Sequence, residues 1–88
     1  MIEKQITITN NSGLHARPAA QFVQKAANFK SKVRITENNK TADGKSILAV
    51  MGMGVKQNAQ INITVEGEDE EECIKALEEL IANNFGEN

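Results

Sequence analysis

Apolar residues first recur at every second position. Ile2, Ile6 and Ile8 alternate with Gln5, Thr7 and Thr9, which predicts a half-buried strand. The polar turn Asn10-Asn11-Ser12-Gly13 ends it. From Ala16 the period changes. Ala19, Ala20, Val23, Ala26 and Ala27 recur three and four residues apart, as on one face of a helix. Lys32–Glu37 alternates again through Val33 and Ile35, and Asn38-Asn39 offers a pair of residues tolerant of positive φ for a tight hairpin into a short strand near Thr41. The apolar stretch Ile47-Leu48-Ala49-Val50-Met51 follows Ser46 and stops at Gly52 and Gly54, predicting a short helix capped by the serine. Ile61, Ile63 and Val65 alternate in a last strand. Asp69 then opens a longer helix, with Glu72 placed for a capping box and acids filling the first turn. Cys73, Ile74, Leu77, Leu80 and Ile81 form its apolar stripe, and Gly86 is expected to close it.

The predicted order is βαββαβα. With one face of each strand apolar, the simplest packing is an α+β fold: a four-stranded antiparallel sheet covered on one face by three helices. No repeat, linker or low-complexity segment divides residues 1–88, so one domain is expected. A chain of this size buries roughly 60–65% of its unfolded surface and needs no metal or disulfide to fold. Its one thiol, Cys73, has no partner within the chain, which suits a reducing cytoplasm. No secretory leader and no apolar run of the ~18 residues that span a bilayer is present, so a cytoplasmic protein without a membrane span is expected.

Net charge adds a division that the hydrophobic pattern hides. Residues 1–60 hold nine Lys/Arg against three Asp/Glu, or +6; residues 61–88 hold one against nine, or −8. The first part can therefore meet an acidic partner and the second forms a solvated acidic face. Nucleic acid competes as a partner for the basic part. Three Phe with no Tyr or Trp leave little surface on which bases stack, and no nucleic-acid binding is expected.

The candidate chemistry lies at the start of the first helix. His15, the chain's one histidine, sits between Gly13 and that helix, where such a residue is ordinarily a plain surface side chain or cap. Its neighbours change the reading. Unpaired N–H groups at the positive end of a helix favour an anion, with Ala16 and Arg17 as backbone donors, and the Arg17 guanidinium forks onto phosphate oxygens. Pro18 sets φ in the first turn and offers no N–H, while Gly13 permits a sharp turn. A ring nitrogen of His15 is the nucleophile such a site would use.

These residues carry a family resemblance. Gly13-Leu14-His15-Ala16-Arg17-Pro18-Ala19-Ala20 resembles the active-centre signature of HPr, the histidine-containing phosphocarrier family of the bacterial sugar phosphotransferase system. Lys45-Ser46-Ile47-Leu48-Ala49-Val50-Met51 is similar to that family's regulatory serine region, at the family's spacing from the first motif, and length and element order match over essentially the whole chain. The resemblance implies an open-faced β-sandwich. It implies that enzyme I, charged by phosphoenolpyruvate, phosphorylates His15 on Nδ1, that Arg17 steadies the phosphate, and that enzyme IIA components receive it. No cofactor or metal is implied, and the carrier is a covalent intermediate rather than a complete enzyme. A paralogue serving a nitrogen-related regulatory phosphorelay shares this chemistry and differs in partners.

Ser46 has a structural reading as an N-cap contributing about 1 kcal/mol. The resemblance adds a second, phosphorylation by HPr kinase/phosphorylase and binding of the phosphorylated form to a catabolite-control repressor. Gly52-Met53-Gly54 departs from the Ser-Leu-Gly found in many kinase-regulated members, and Gly52 lowers helix propensity by about 1 kcal/mol relative to Ala. Ile47, Leu48, Met51 and Met53 exceed what a short helix must bury. Ile47, Leu48 and Met51 are expected in an apolar docking patch, with Lys45 and Lys56 as a basic rim. A monomer is expected, since a carrier presents one small face to several partners in turn.

Two other signals fail on inspection. Gly44-Lys45-Ser46 lacks the first P-loop glycine, because Asn39 stands there, and the parallel βαβ setting is missing. One His and one Cys far apart make no ligand set for a metal.

Overall fold

The structure, a computed structural model, describes residues 1–87. Four strands, β1 (Ile2–Thr7), β2 (Lys32–Glu37), β3 (Lys40–Asp43) and β4 (Gln60–Glu66), form one antiparallel sheet in the order β1-β4-β2-β3. The helices are α1 (Arg17–Ala27), α2 (Ile47–Gly52) and α3 (Glu70–Ala82), and a 3₁₀ turn, Asn84–Gly86, follows. The βαββαβα order read from the pattern is the observed one.

Register places the apolar residues on one face. Ile2 pairs with Val65 and Ile6 with Ile61; Val33 pairs with Val65 and Ile35 with Ile63; Ala42 lies opposite Ile35. A one-residue slip would turn this whole set outward, so burial fixes the register. The opposite face carries only polar side chains along the pairs Gln5–Asn62, Glu3–Thr64, Arg34–Thr64 and Thr36–Thr41. The core lies between the apolar face and the helices. Phe22 of α1, Val50 of α2 and Cys73, Ile74, Leu77 and Ile81 of α3 are buried there.

Five local expectations need correction. The α1 stripe runs through Pro18, Ala19, Phe22 and Ala26, with Val23 half-buried, whereas Ala27 is exposed; the large aromatic Phe22, not the terminal alanine, sets which side of the helix faces inward. Leu80 of α3 is likewise only partly buried. The Asn38-Asn39 hairpin uses positive φ at Asn38 only (55°). The Asp69–Glu72 capping box is not formed. Asp69 directs its carboxylate to the residues just before β2, accepting from the backbone N of Lys30 (2.8 Å) and Ser31 (2.9 Å) and from the Ser31 hydroxyl. These bonds, the Ser31 hydroxyl first, hold its carboxyl below the usual aspartate range. Gly86 closes the final 3₁₀ turn, not α3, which ends at Ala82.

Candidate functional site

The residues before α1 form a loop anchored from three directions. Gln57 Nε2 donates to Thr9 O (3.2 Å) and to Asn11 Oδ1 (3.1 Å). Leu14 N donates to Val55 O (3.0 Å) and its side chain is fully buried. From the far end of the chain, the Thr9 hydroxyl donates to Asn84 Oδ1, while Ser12 Oγ donates to Glu87 Oε2 (2.6 Å). Gly13 has φ 65°, and a Cβ there would lie 2.3 Å from Val55 O. The glycine serves both the left-handed backbone and the close approach of the 53–59 loop.

Anchoring Leu14 on one side of the turn and Ala19 on the other leaves the intervening residues outside. His15, Ala16 and Arg17 are exposed. Ala16 is the N-cap of α1 with φ 49° and ψ −117°, a conformation an L-residue with a Cβ adopts only where its surroundings impose it. Ala20 N bonds Ala16 O (3.1 Å), so the helix begins directly after it. No side chain caps α1 and no acid occupies its first turn, which leaves the opening N–H groups to an external acceptor. His15 and Arg17 flank Ala16 at this opening. Arg17 also lines a cleft of about 430 Å³ with Asn11, Ser12, Gln21, Phe85 and Glu87.

Ser46 occupies the N-cap of α2, and its Oγ accepts from Ala49 N at 3.3 Å. The capping expectation therefore holds. Gly52 is the last residue of α2, so its low propensity falls at the end of the helix. Ile47 and Leu48 are 41% and 83% exposed, Met51 is half-buried against the core, and Met53 is buried. Lys56 is exposed in the loop that passes Gly13. Lys45 is half-buried, and its Nζ donates to Phe29 O (2.7 Å), which turns it toward the β2 side rather than the α2 surface.

Sequence reasoning located His15 and its neighbours but missed the supports. Glu87 read as one acid of a solvated run, and Gln57 carried no signal at all. Their roles arise from tertiary closure between segments more than 40 positions apart. Among the described residues no cluster of His, Cys, Asp or Glu is arranged to hold a metal, and no helix is long and apolar enough to cross a membrane.

An open α+β sheet that displays a solitary histidine where a helix begins is the architecture of a small phosphocarrier. Comparison with known proteins gives the family. A family model described as "PTS HPr component phosphorylation site" matches residues 2–83. Phosphocarrier protein HPr of Cupriavidus necator is 41% identical over 87 residues, covering 99% of this chain and 98% of that one. Phosphocarrier protein HPr of Lysinibacillus sphaericus is 44% identical and covers 92% of each. The crystal structure of HPr-C-His from Thermoanaerobacter tengcongensis superposes with a TM-score of 0.97 at 49% identity, over 100% of this chain and 99% of that one. The chain belongs to the HPr family of phosphotransferase-system phosphocarriers.

Proposed function

We propose that this phosphocarrier accepts a phosphoryl group from phosphorylated enzyme I on a ring nitrogen of His15 and donates it to enzyme IIA components. The observation that carries the reading is the solvent-facing His15 at the uncapped opening of α1, with Arg17 two residues on. In the transfer from enzyme I a phosphorus–nitrogen bond to the donor imidazole breaks as one to His15 Nδ1 forms, with attacking and leaving groups in line. The reaction ends with the donor histidine free and the phosphoryl group on this chain. The Ala16 and Arg17 N–H groups and the Arg17 guanidinium meet the charge on the equatorial oxygens. The exposed Ile47 and Leu48, with Met51, form the apolar contact for partners, and Lys56 supplies positive charge beside it.

Ser46 is the regulatory site in this reading. Phosphate on its Oγ joins a helix N-terminus, so the fold is retained, and the added dianion repels an acidic docking partner. HPr kinase/phosphorylase is the modifying enzyme and a catabolite-control repressor a further partner. The carrier acts in the cytoplasm as a monomer and single domain.

The test is incubation with enzyme I and phosphoenolpyruvate, followed by intact mass and acid treatment. One acid-labile phosphoryl group is expected, absent in His15→Ala. No gain with an enzyme I proven active on another carrier would refute the sugar-system donor and leave a dedicated phosphorelay donor.

A further inference from the structure

The acidic end of the described chain returns to the loop that carries His15. Glu87 Oε2 accepts from Ser12 Oγ at 2.6 Å, and Glu87 Oε1 accepts from Asn10 Nδ2 at 3.1 Å and from Ser12 N at 3.4 Å. Asn10 is 2% exposed, and its Nδ2 also donates to Gly13 O (2.9 Å). Its Oδ1 has no partner among the described residues, so the orientation of this buried amide is set through Nδ2 alone. Glu87 thus reaches both residues on either side of Asn11, and through Asn10 it reaches the Gly13 carbonyl two residues before His15. The Phe85 side chain is buried and places the segment, with Asn84 bonding Thr9 on the way. Glu87 and Arg17 line the same cleft.

We propose that Glu87 is a positioning residue for phosphoryl transfer, a latch that fixes the His15 loop through Ser12 and Asn10. The proposal rests on the His15 carrier reading above. A carboxylate suits the task because charge-assisted bonds are shorter and stronger than neutral ones, and one group accepts from two side chains at once. The same bonds, Ser12 Oγ first and Asn10 second, hold the Glu87 carboxyl below the usual glutamate range, so the latch is ionised wherever the carrier works. A loop so held presents the imidazole in one orientation. An untethered one samples several, and misplacement of a reacting group lowers the rate of the chemical step rather than the affinity for a partner.

Glu87→Ala is expected to lower kcat for phosphorylation by enzyme I about five- to tenfold with KM for the carrier unchanged, and Glu87→Gln, which keeps an acceptor oxygen, falls between. Amide exchange at Gly13 and Leu14 should quicken in Glu87→Ala, while exchange within β4 stays as it is. Ser12→Ala tests the route by itself, and its effect should not add to that of Glu87→Ala in the double variant. Wild-type kcat in Glu87→Ala, a loss confined to KM, unaltered Gly13 and Leu14 exchange, or full additivity with Ser12→Ala would each overturn the latch. If the unaltered chain takes no phosphoryl group from enzyme I, the carrier reading fails, and the exchange arm still decides whether Glu87 holds the loop.

Discussion

The openings of α1 and α2 solve one problem in opposite ways. A helix start leaves N–H groups without partners inside the helix. At α2 the chain answers with its own atom: Ser46 Oγ accepts from Ala49 N, and Ser46 sits in relaxed extended backbone at φ −114°. At α1 no side chain answers, and Ala16 is held at φ 49° between His15 and Arg17. One start has a side-chain cap of its own; the other has none. The difference teaches where transferable phosphate belongs. A group that must come and go suits the opening with no competing acceptor, whereas phosphate on Ser46 replaces a cap already made.

The largest way to break this contrast is to remove the cation that distinguishes α1. Arg17→Ala is expected to slow His15 phosphorylation by about 100-fold, on the scale of losing one preformed donor to a developing oxyanion. Thermal stability should stay near wild type, because the guanidinium is exposed. An equal loss in kcat and in melting temperature would show Arg17 to be structural.

A pair of smaller changes should move the two openings in opposite directions. Ser46→Ala deletes the cap and should cost about 1 kcal/mol in denaturant unfolding. Ala16→Gly relieves the left-handed backbone and should gain about 1 kcal/mol despite the freer unfolded chain. If both variants lose stability, the Ala16 conformation is not the strained element.

The third helix start sharpens the comparison through pH. Asp69 precedes α3 yet bonds Ser31 and Lys30, so its folded pKa lies below its unfolded one. That contribution is present above the unfolded value and is lost as pH falls through the folded one. Stability should therefore decline below about pH 4, and Asp69→Asn should flatten part of that decline in urea melts. An unchanged acid limb would place the loss on other carboxylates, Glu87 and Glu70 among them.

The alternation of Ile61, Ile63 and Val65 and the chemistry of Gly13 through Pro18 were legible because strand period and helix opening are local properties. The Ser46 cap was legible for the same reason. Asp69 and Glu72 show the limit: the residue types fit a capping box, yet the Lys30 and Ser31 N–H groups and the Ser31 hydroxyl, just before β2, outcompeted the local partner. Phe22 set the face of α1 against a run of alanines that looked periodic by itself. Glu87 was invisible because nothing near it in the chain distinguishes it from eight other acids in residues 61–88.

The strand order has a consequence in time. β4 lies between β1 and β2, so the two strands made first have no contact across the sheet until residues 60–66 exist. A ribosome must therefore release the chain through Glu66 before the sheet can close, and the folding barrier includes joining segments more than 50 residues apart. The loop bearing His15 gains its anchors later still, since Asn84 and Glu87 follow β4 in the chain. A nascent chain cut short before them would hold the sheet but would lack these two anchors of the loop.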